Sequence, residues 1–283
     1  MALCVAIGLK AQETSLRDTV AFPNTNQSTA LIQTGFNYAY SQSIYLSSEL
    51  TPGILSGISW YLSENTAGTR TFEIEVLISE TSIQAFESNT LLLTPNFTSV
   101  YTGSLTISGT GWHNVEFQVP YVYTGANNLV VAVRASMGQY FYSTAWGMGA
   151  EFSTPAIRTL YTARDSRAVT PEDPSGVYST TLVPSAIFTR LPEGTDICLP
   201  PTDLDVSNID QESALISWSN PNEEGTTFTI SYRTQGGELQ TAGTTSDTTF
   251  QLNNLVSSTV YEVSVVANCG EESVSYPQTT TFN

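Results

Sequence analysis

Charge is what this sequence has least of: Asp, Glu, Lys and Arg together make up 12% of its 283 residues. Basic side chains are the scarcer kind, 9 Lys and Arg against 26 Asp and Glu, which leaves a formal net charge of −17 and an isoelectric point near 4.1. Nucleic-acid affinity depends on Lys and Arg displacing phosphate counterions, so this balance argues against a nucleic-acid partner. The same acidity repels anionic headgroups and suits a solvated surface protein. Apolar runs are short as well: none reaches the roughly 18 to 20 residues of a membrane-spanning helix, so no transmembrane segment is expected. Histidine is nearly missing, and a Ser-His-Asp triad would have to use the single His113. No GxSxG motif stands near it, and no glycine-rich loop is built to cradle phosphates. No catalytic constellation is visible in the sequence, so neither enzymatic activity nor a cofactor is expected.

What is present is a 40% hydrophobic fraction set among frequent Ser, Thr, Asn and Gln. That is the texture of an extracellular β protein, whose solvent-facing strand positions carry small hydroxyls. At the N-terminus, MALCVAIGLKAQE places a short apolar stretch, Ala2 to Leu9, before the small residue Ala11. It reads as the back half of a secretory signal peptide without its basic leader, so residues 1–11 are expected to be removed by cleavage after Ala11. Cys4 would leave with them, and Cys198 and Cys269 would remain. An even count in an exported chain favours a disulfide, with two buried free thiols as the alternative; neither has the neighbours of a metal site.

From Phe36 onward the dominant pattern is alternation. Phe72, Ile74, Val76 and Ile78 point one way and Glu73 and Glu75 the other; Val115, Phe117 and Val119 repeat the pattern, as do Ile54, Ile58, Trp60 and Leu62 with Gly57 opposite. Turn clusters separate these segments, and a short helical or turn-like piece is expected near Ser82 to Phe86. Gly111 and Trp112 are expected to open a strand with a core aromatic. Tyr123-Thr-Gly-Ala-Asn-Asn reads as a hairpin turn feeding the apolar strand Leu129 to Val133. Prolines interrupt the alternation at Pro192 to Pro201, where a boundary fits. The expected organisation is a sandwich over 12–192, a linker over 193–201 and a second sandwich over 202–283, with strands near 204–206, 214–218, 228–232, 249–252, 261–265 and 274–280.

In the second sandwich Trp218 closes the strand ALISW, and Leu255, Thr259, Tyr261, Val263 and Val265 form LxxxTxYxVxV. Together these resemble a fibronectin type III domain over residues 195–283. The resemblance implies that Trp218 fills the inter-sheet core and that Tyr261 makes the tyrosine corner. Ser257 stands where the family often has Pro. CLPPTDL and VVANCG resemble the variety found in secreted Bacteroidetes proteins, which implies that Cys198 pairs with Cys269. In the first sandwich, GISWYLSENT, FEIEVLISETSIQAF, VYTGSLTISGTGWHNVEFQVPYVYTGANNLVVAV, LYTARDS and PSAIF occur in an order that resembles a jelly-roll-like module found beside fibronectin domains in Bacteroidetes surface proteins, some of them type IX secretion cargo.

The expected fold class is therefore all-β, an antiparallel jelly-roll-like sandwich followed by an immunoglobulin-like one. The expected function is a secreted or cell-surface, non-catalytic module pair for adhesion or for carbohydrate or protein binding; the alternative is a structural spacer or an accessory region of a larger secreted hydrolase. Glu73 and Glu75 lie on an alternating outer face, where solvated charges are the ordinary explanation, rather than as a glycosidase pair. The Gly-flanked aromatic segment from Tyr140 to Trp146 is the candidate ligand platform, with Tyr140, Tyr142 and Trp146 as contact residues for a glycan. Asp165, Glu172 and Asp173, in the polar stretch from Ala163 to Ser179, are weak candidates for a structural calcium site, since their spacing matches no calcium motif.

Overall fold

The computed structural model describes residues 16–20, 26–27, 31–32, 35–62, 69–93, 97–138, 150–174, 176–222, 224–234, 236–270 and 273–283. The chain divides into two compact units, Met1–Thr195 and Asp196–Asn283. Among the described residues the only helix is a single 3-10 turn, Ser47–Glu49. Among the described residues no helix is long and apolar enough to cross a membrane.

The first unit contains strands β1 (Leu16–Val20), β2 (Asn26–Gln27), β3 (Tyr38–Tyr45), β4 (Gly53–Leu62), β5 (Arg70–Thr81), β6 (Thr98–Ile107), β7 (Gly111–Tyr123), β8 (Asn128–Ser136), β9 (Ala150–Ser153), β10 (Thr159–Arg164), β11 (Tyr178–Thr180), β12 (Leu182–Pro184) and β13 (Ala186–Arg190). A four-stranded sheet, β1-β13-β4-β7, faces a six-stranded sheet, β11-β10-β3-β8-β5-β6, and a small sheet β12-β9-β2 stands apart; every pairing is antiparallel. Between the two larger sheets lies the main core. Leu55, Ile58, Trp60, Val115 and Phe188 come from one sheet, and Phe72, Ile74, Val76, Ile78, Leu129, Val131 and Val133 from the other. The period-two pattern of β5 thus buries the set that the sequence indicates.

β8 is buried on both faces. Its outward Val130 and Ala132, with Tyr40, Ile44, Leu77 and Leu160, make a second core with Phe86, Leu91 and Val169 from the connecting segments. A strand covered on both sides has no polar face to show, which is why NLVVAV is nearly continuous in apolar residues. Arg158 closes one end of this layer: its Nε donates to the Ile44 carbonyl at 2.9 Å and its Nη1 to Glu49 of the 3-10 turn at 2.9 Å.

Residues 82–86 form bends, the turn-like of the two forms expected there, with Phe86 N–H donating to the Ile157 carbonyl at 2.8 Å. Three other local expectations are corrected. The turn after Tyr123 is not a hairpin: β7 belongs to the four-stranded sheet and β8 to the six-stranded one, so the chain arches between layers. Gly125 is required there, since its φ is +74° and a Cβ would meet Pro52 Cγ at 2.4 Å. Ile54 does not share a core face with Ile58 and Trp60; Leu55 is buried instead. The ladder shifts between Leu55 and Gly57 on the β7 side, where residues 117–120 stand opposite Ser56, and this bulge inverts the alternation of β4. Finally, Trp112 is 41% exposed. Val115 on the same strand faces the core, so the even-numbered Trp112 points outward, and Trp60 supplies the core aromatic.

The second unit contains β14 (Thr202–Ser207), β15 (Ser213–Ser219), β16 (Thr227–Thr234), β17 (Gln240–Thr245), β18 (Thr249–Asn253), β19 (Tyr261–Asn268) and β20 (Gln278–Phe282). They form two sheets, β14-β15-β18 and β17-β16-β19-β20. Ala214, Ile216 and Trp218 of β15 pack with Phe228, Ile230, Leu252, Val263 and Val265 in the core between them. β17 is the strand that the sequence pattern does not reveal. QTAGTT has no large apolar residue, and it forms because β16 supplies a ladder partner.

Candidate functional site

Tyr140, Tyr142 and Trp146 lie outside the described residues. The three acidic candidates are described, and two are bound within the protein. Asp165 accepts the backbone N–H of Asn37 at 3.0 Å, while Asp173 accepts from both Arg164 and Arg167. Those two guanidinium groups hold the Asp173 carboxyl below its ordinary range. Glu172, beside Asp173 in the chain, has interactions of its own. Among the described residues no three His, Cys, Asp or Glu side chains come together to hold a metal ion. His113 is half-buried on β7, its Nε2 3.0 Å from the Gly109 carbonyl oxygen. A carbonyl only accepts, so that nitrogen carries the proton.

A different group of residues gathers on the outer face of the four-stranded sheet. The register builds it row by row: Arg17 of β1 opposes Thr189 of β13, Thr189 opposes Gly57 of β4, and Gly57 opposes Glu116 of β7. The next row carries Thr19, Ile187, Ser59 and Asn114, and the third pairs Tyr61 with Trp112. A surface cavity of about 670 Å³ lies among them, lined by Arg17, Ser59, Trp112, Asn114, Glu116 and Thr189 and closed on the bulged side by Phe117 and Pro120. Gly57 leaves the floor bare, and a Cβ there would stand 2.9 Å from the Val115 carbonyl oxygen. Pro120 fits the bulge because no ladder donor is needed there.

Trp112 meets Tyr61 edge to face, with ring centroids 5.2 Å apart. Ser59 Oγ donates to Asn114 Oδ1 at 2.9 Å, which leaves the Asn114 amide nitrogen to offer outward. Every other arginine among the described residues is engaged in an ion pair or another contact; Arg17 is exposed and has neither. Sequence reasoning passed over this face, although WHNVEF itself alternates and places Trp112, Asn114 and Glu116 on one side of β7. Arg17 and Thr189 arrive from strands at opposite ends of the unit, and no spacing rule links them.

In the second unit Cys198 and Cys269 are joined by a disulfide, with Cα atoms 5.6 Å apart. Trp218 packs edge to face on Phe228 at 5.2 Å, and the Val256 backbone N–H donates to the Tyr261 hydroxyl at 2.9 Å. Residues 199–281 match the family described as the fibronectin type III domain. This part of the chain is a fibronectin type III domain. Its tyrosine corner is the Tyr261 contact just described, with the hydroxyl as acceptor, and Ser257 in place of proline leaves that contact intact.

No relative is found among curated proteins. Solved structures similar to the chain include a computationally redesigned β-sandwich protein, at 30% identity over 29% of this chain and 90% of that one, TM-score 0.27. A fibronectin type III domain of human collagen XX is 26% identical over 32% of this chain and 99% of its own, TM-score 0.26. A two-domain fibronectin type III segment of chicken tenascin is 14% identical over 86% and 98%, TM-score 0.29. The fibronectin assignment rests on the family match and the strand pattern.

Proposed function

We propose that the chain is a non-catalytic, extracellular module pair that binds a glycan or an extracellular protein at the cell surface, of the kind found in Bacteroidetes surface proteins. The observation that carries this reading is the fibronectin type III domain with its disulfide, a bond that persists in oxidising compartments. The strand order supports a jelly roll for the first unit: its first and last strands, β1 and β13, lie side by side, and the chain crosses between the two large sheets at β3–β4, β4–β5, β6–β7 and β7–β8, while β5 and β6 pair within one sheet. The aromatic segment with Tyr140, Tyr142 and Trp146 remains a platform for a glycan in this reading.

The spacer or hydrolase-accessory reading is favoured by the fibronectin domain taken alone, because Trp218, Tyr261 and the disulfide all serve its own core. One measurement tests both readings and a second separates them. Antibody labelling of intact, unpermeabilised cells, or recovery from the medium, is expected for either; recovery in the cytosol alone defeats both. Retention of the oxidised protein on arrays of glycans and extracellular proteins is expected for a binding module, and its absence leaves the spacer.

A further inference from the structure

We infer that the outer face of the four-stranded sheet is a binding site for a neutral saccharide, with Trp112 as the stacking platform and Arg17, Asn114 and Glu116 as the groups that hold its hydroxyls. The inference rests on the binding reading above and gives that reading a place and a ligand class. An exposed indole braced by Tyr61 offers a flat apolar surface already fixed in position, which is what the apolar face of a sugar ring can cover. Stacking on a pre-positioned ring loses little side-chain entropy.

The polar groups complete the recognition. Asn114 and Glu116 follow Trp112 at two-residue steps on one face of β7, about 7 Å apart along the strand. Arg17 stands across Thr189 and Gly57, three strand spacings or about 14 Å from Glu116. The bare Gly57 between them leaves a trough, where any side chain would both fill the space and crowd the Val115 carbonyl. Guanidinium, carboxylate and amide are planar groups with paired donors or acceptors, a match for the adjacent hydroxyls of a sugar. Among the described residues neither Arg17 nor Glu116 has a hydrogen-bond or ion-pair partner, so neither must break such a bond to bind.

Two arguments narrow the class. The cation and the carboxylate on this face offset each other, while the chain as a whole carries −17, so polyanionic glycans are repelled and neutral ones are not. A peptide strand would seek unpaired backbone at a sheet edge, whereas this face presents side chains only.

The test is affinity electrophoresis in gels containing xylan, galactomannan, mixed-linkage β-glucan or starch, together with a glycan array that includes uronate-bearing members. Wild type is compared with Trp112→Ala, Glu116→Gln, Arg17→Ala and the double variant Tyr142→Ala/Trp146→Ala, each checked for an unchanged melting transition. Retention by at least one neutral polysaccharide is expected, at least about tenfold weaker in Trp112→Ala and insensitive to salt. The double variant reports separately on the Tyr140 to Trp146 segment, and the sheet site requires that Trp112→Ala weaken retention whether or not the double variant does so as well. Should Trp112→Ala fail to fold, Glu116→Gln and Arg17→Ala decide, and loss in neither overturns the site. Loss confined to the double variant also overturns it while sparing the binding reading. Retention of uronate-bearing glycans or of proteins only overturns the neutral-saccharide assignment. No retention of any glycan or protein defeats the site and the binding reading together.

Discussion

Gln42 is fully buried in the middle of β3, and its amide is the reason that is tolerable. Its Nε2 donates to the Leu92 carbonyl at 2.8 Å and its Oε1 accepts the Leu92 N–H at 2.9 Å, so one side chain does for residue 92 what a neighbouring strand would do. The same two-bond ring recurs twice. Gln118 pairs with the backbone of Thr102, and Asn222 with that of Leu199. Each time the amide satisfies a backbone pair that no ladder reaches. Gln42→Leu keeps the apolar packing and leaves the N–H and carbonyl of half-buried Leu92 without their amide partner, so a loss of about 1–3 kcal/mol is expected in chemical denaturation. Hydrogen exchange at the Leu92 amide should accelerate in the same variant. Tyr261→Phe is the milder case: the Val256 N–H loses its acceptor, and the fibronectin domain should lose about 1 kcal/mol by urea titration.

At the scale of elements, β1 is held to the first unit by the β13 ladder and by one clasp. Asp18 accepts from Arg190 Nε at 2.9 Å, from the Thr51 N–H at 3.0 Å and from the Thr51 hydroxyl at 3.0 Å. Burial raises the Asp18 pKa, but the hydrogen bonds from Arg190 and Thr51 outweigh it and hold the carboxyl below its ordinary 3.8. A depressed folded value means that the unfolded chain takes up the proton first on acidification. The clasp therefore contributes fully above the unfolded pKa and fades as pH falls through the folded one. Asp18→Asn should cost roughly 1–3 kcal/mol at pH 7, and the gap from wild type should close progressively below pH 4. Melting curves at a series of pH values check this; a gap unchanged at low pH would remove the clasp from the account. The sequence made β5 and β8 legible because a half-buried strand alternates and a fully covered one does not. It left β17 unseen because its stability comes from a partner and not from its own apolar residues. It also misplaced Ile54 and Trp112, since alternation fixes relative faces but neither a bulge nor the sheet a strand joins. The sugar-facing candidates show the same division: the spacing within WHNVEF was readable, but the meeting of β1, β13, β4 and β7 is a fact of topology.

Among the described residues the buried apolar side chains fall into separate cores, two within the first unit and one within the fibronectin domain. The disulfide belongs wholly to the latter, bridging 71 residues from Cys198, just past the unit boundary, to Cys269 after β19. In the chain-entropy description, cross-linking a loop of that length removes about 4 kcal/mol of freedom from the unfolded fibronectin domain, and it constrains nothing in the unfolded first unit. Cores that share no cross-link and no apolar cluster should melt as separate cooperative units. Calorimetry of the oxidised protein is therefore expected to resolve two transitions. In Cys198→Ser/Cys269→Ser, or after reduction, the fibronectin transition should fall while the other holds its temperature. For a domain of this size a loss of several kcal/mol corresponds to a drop of well over 10 °C, large enough to separate overlapping peaks. If both transitions move together, or if only one exists and shifts as a whole, stability is shared across the boundary near residue 195 and the two units do not fold independently.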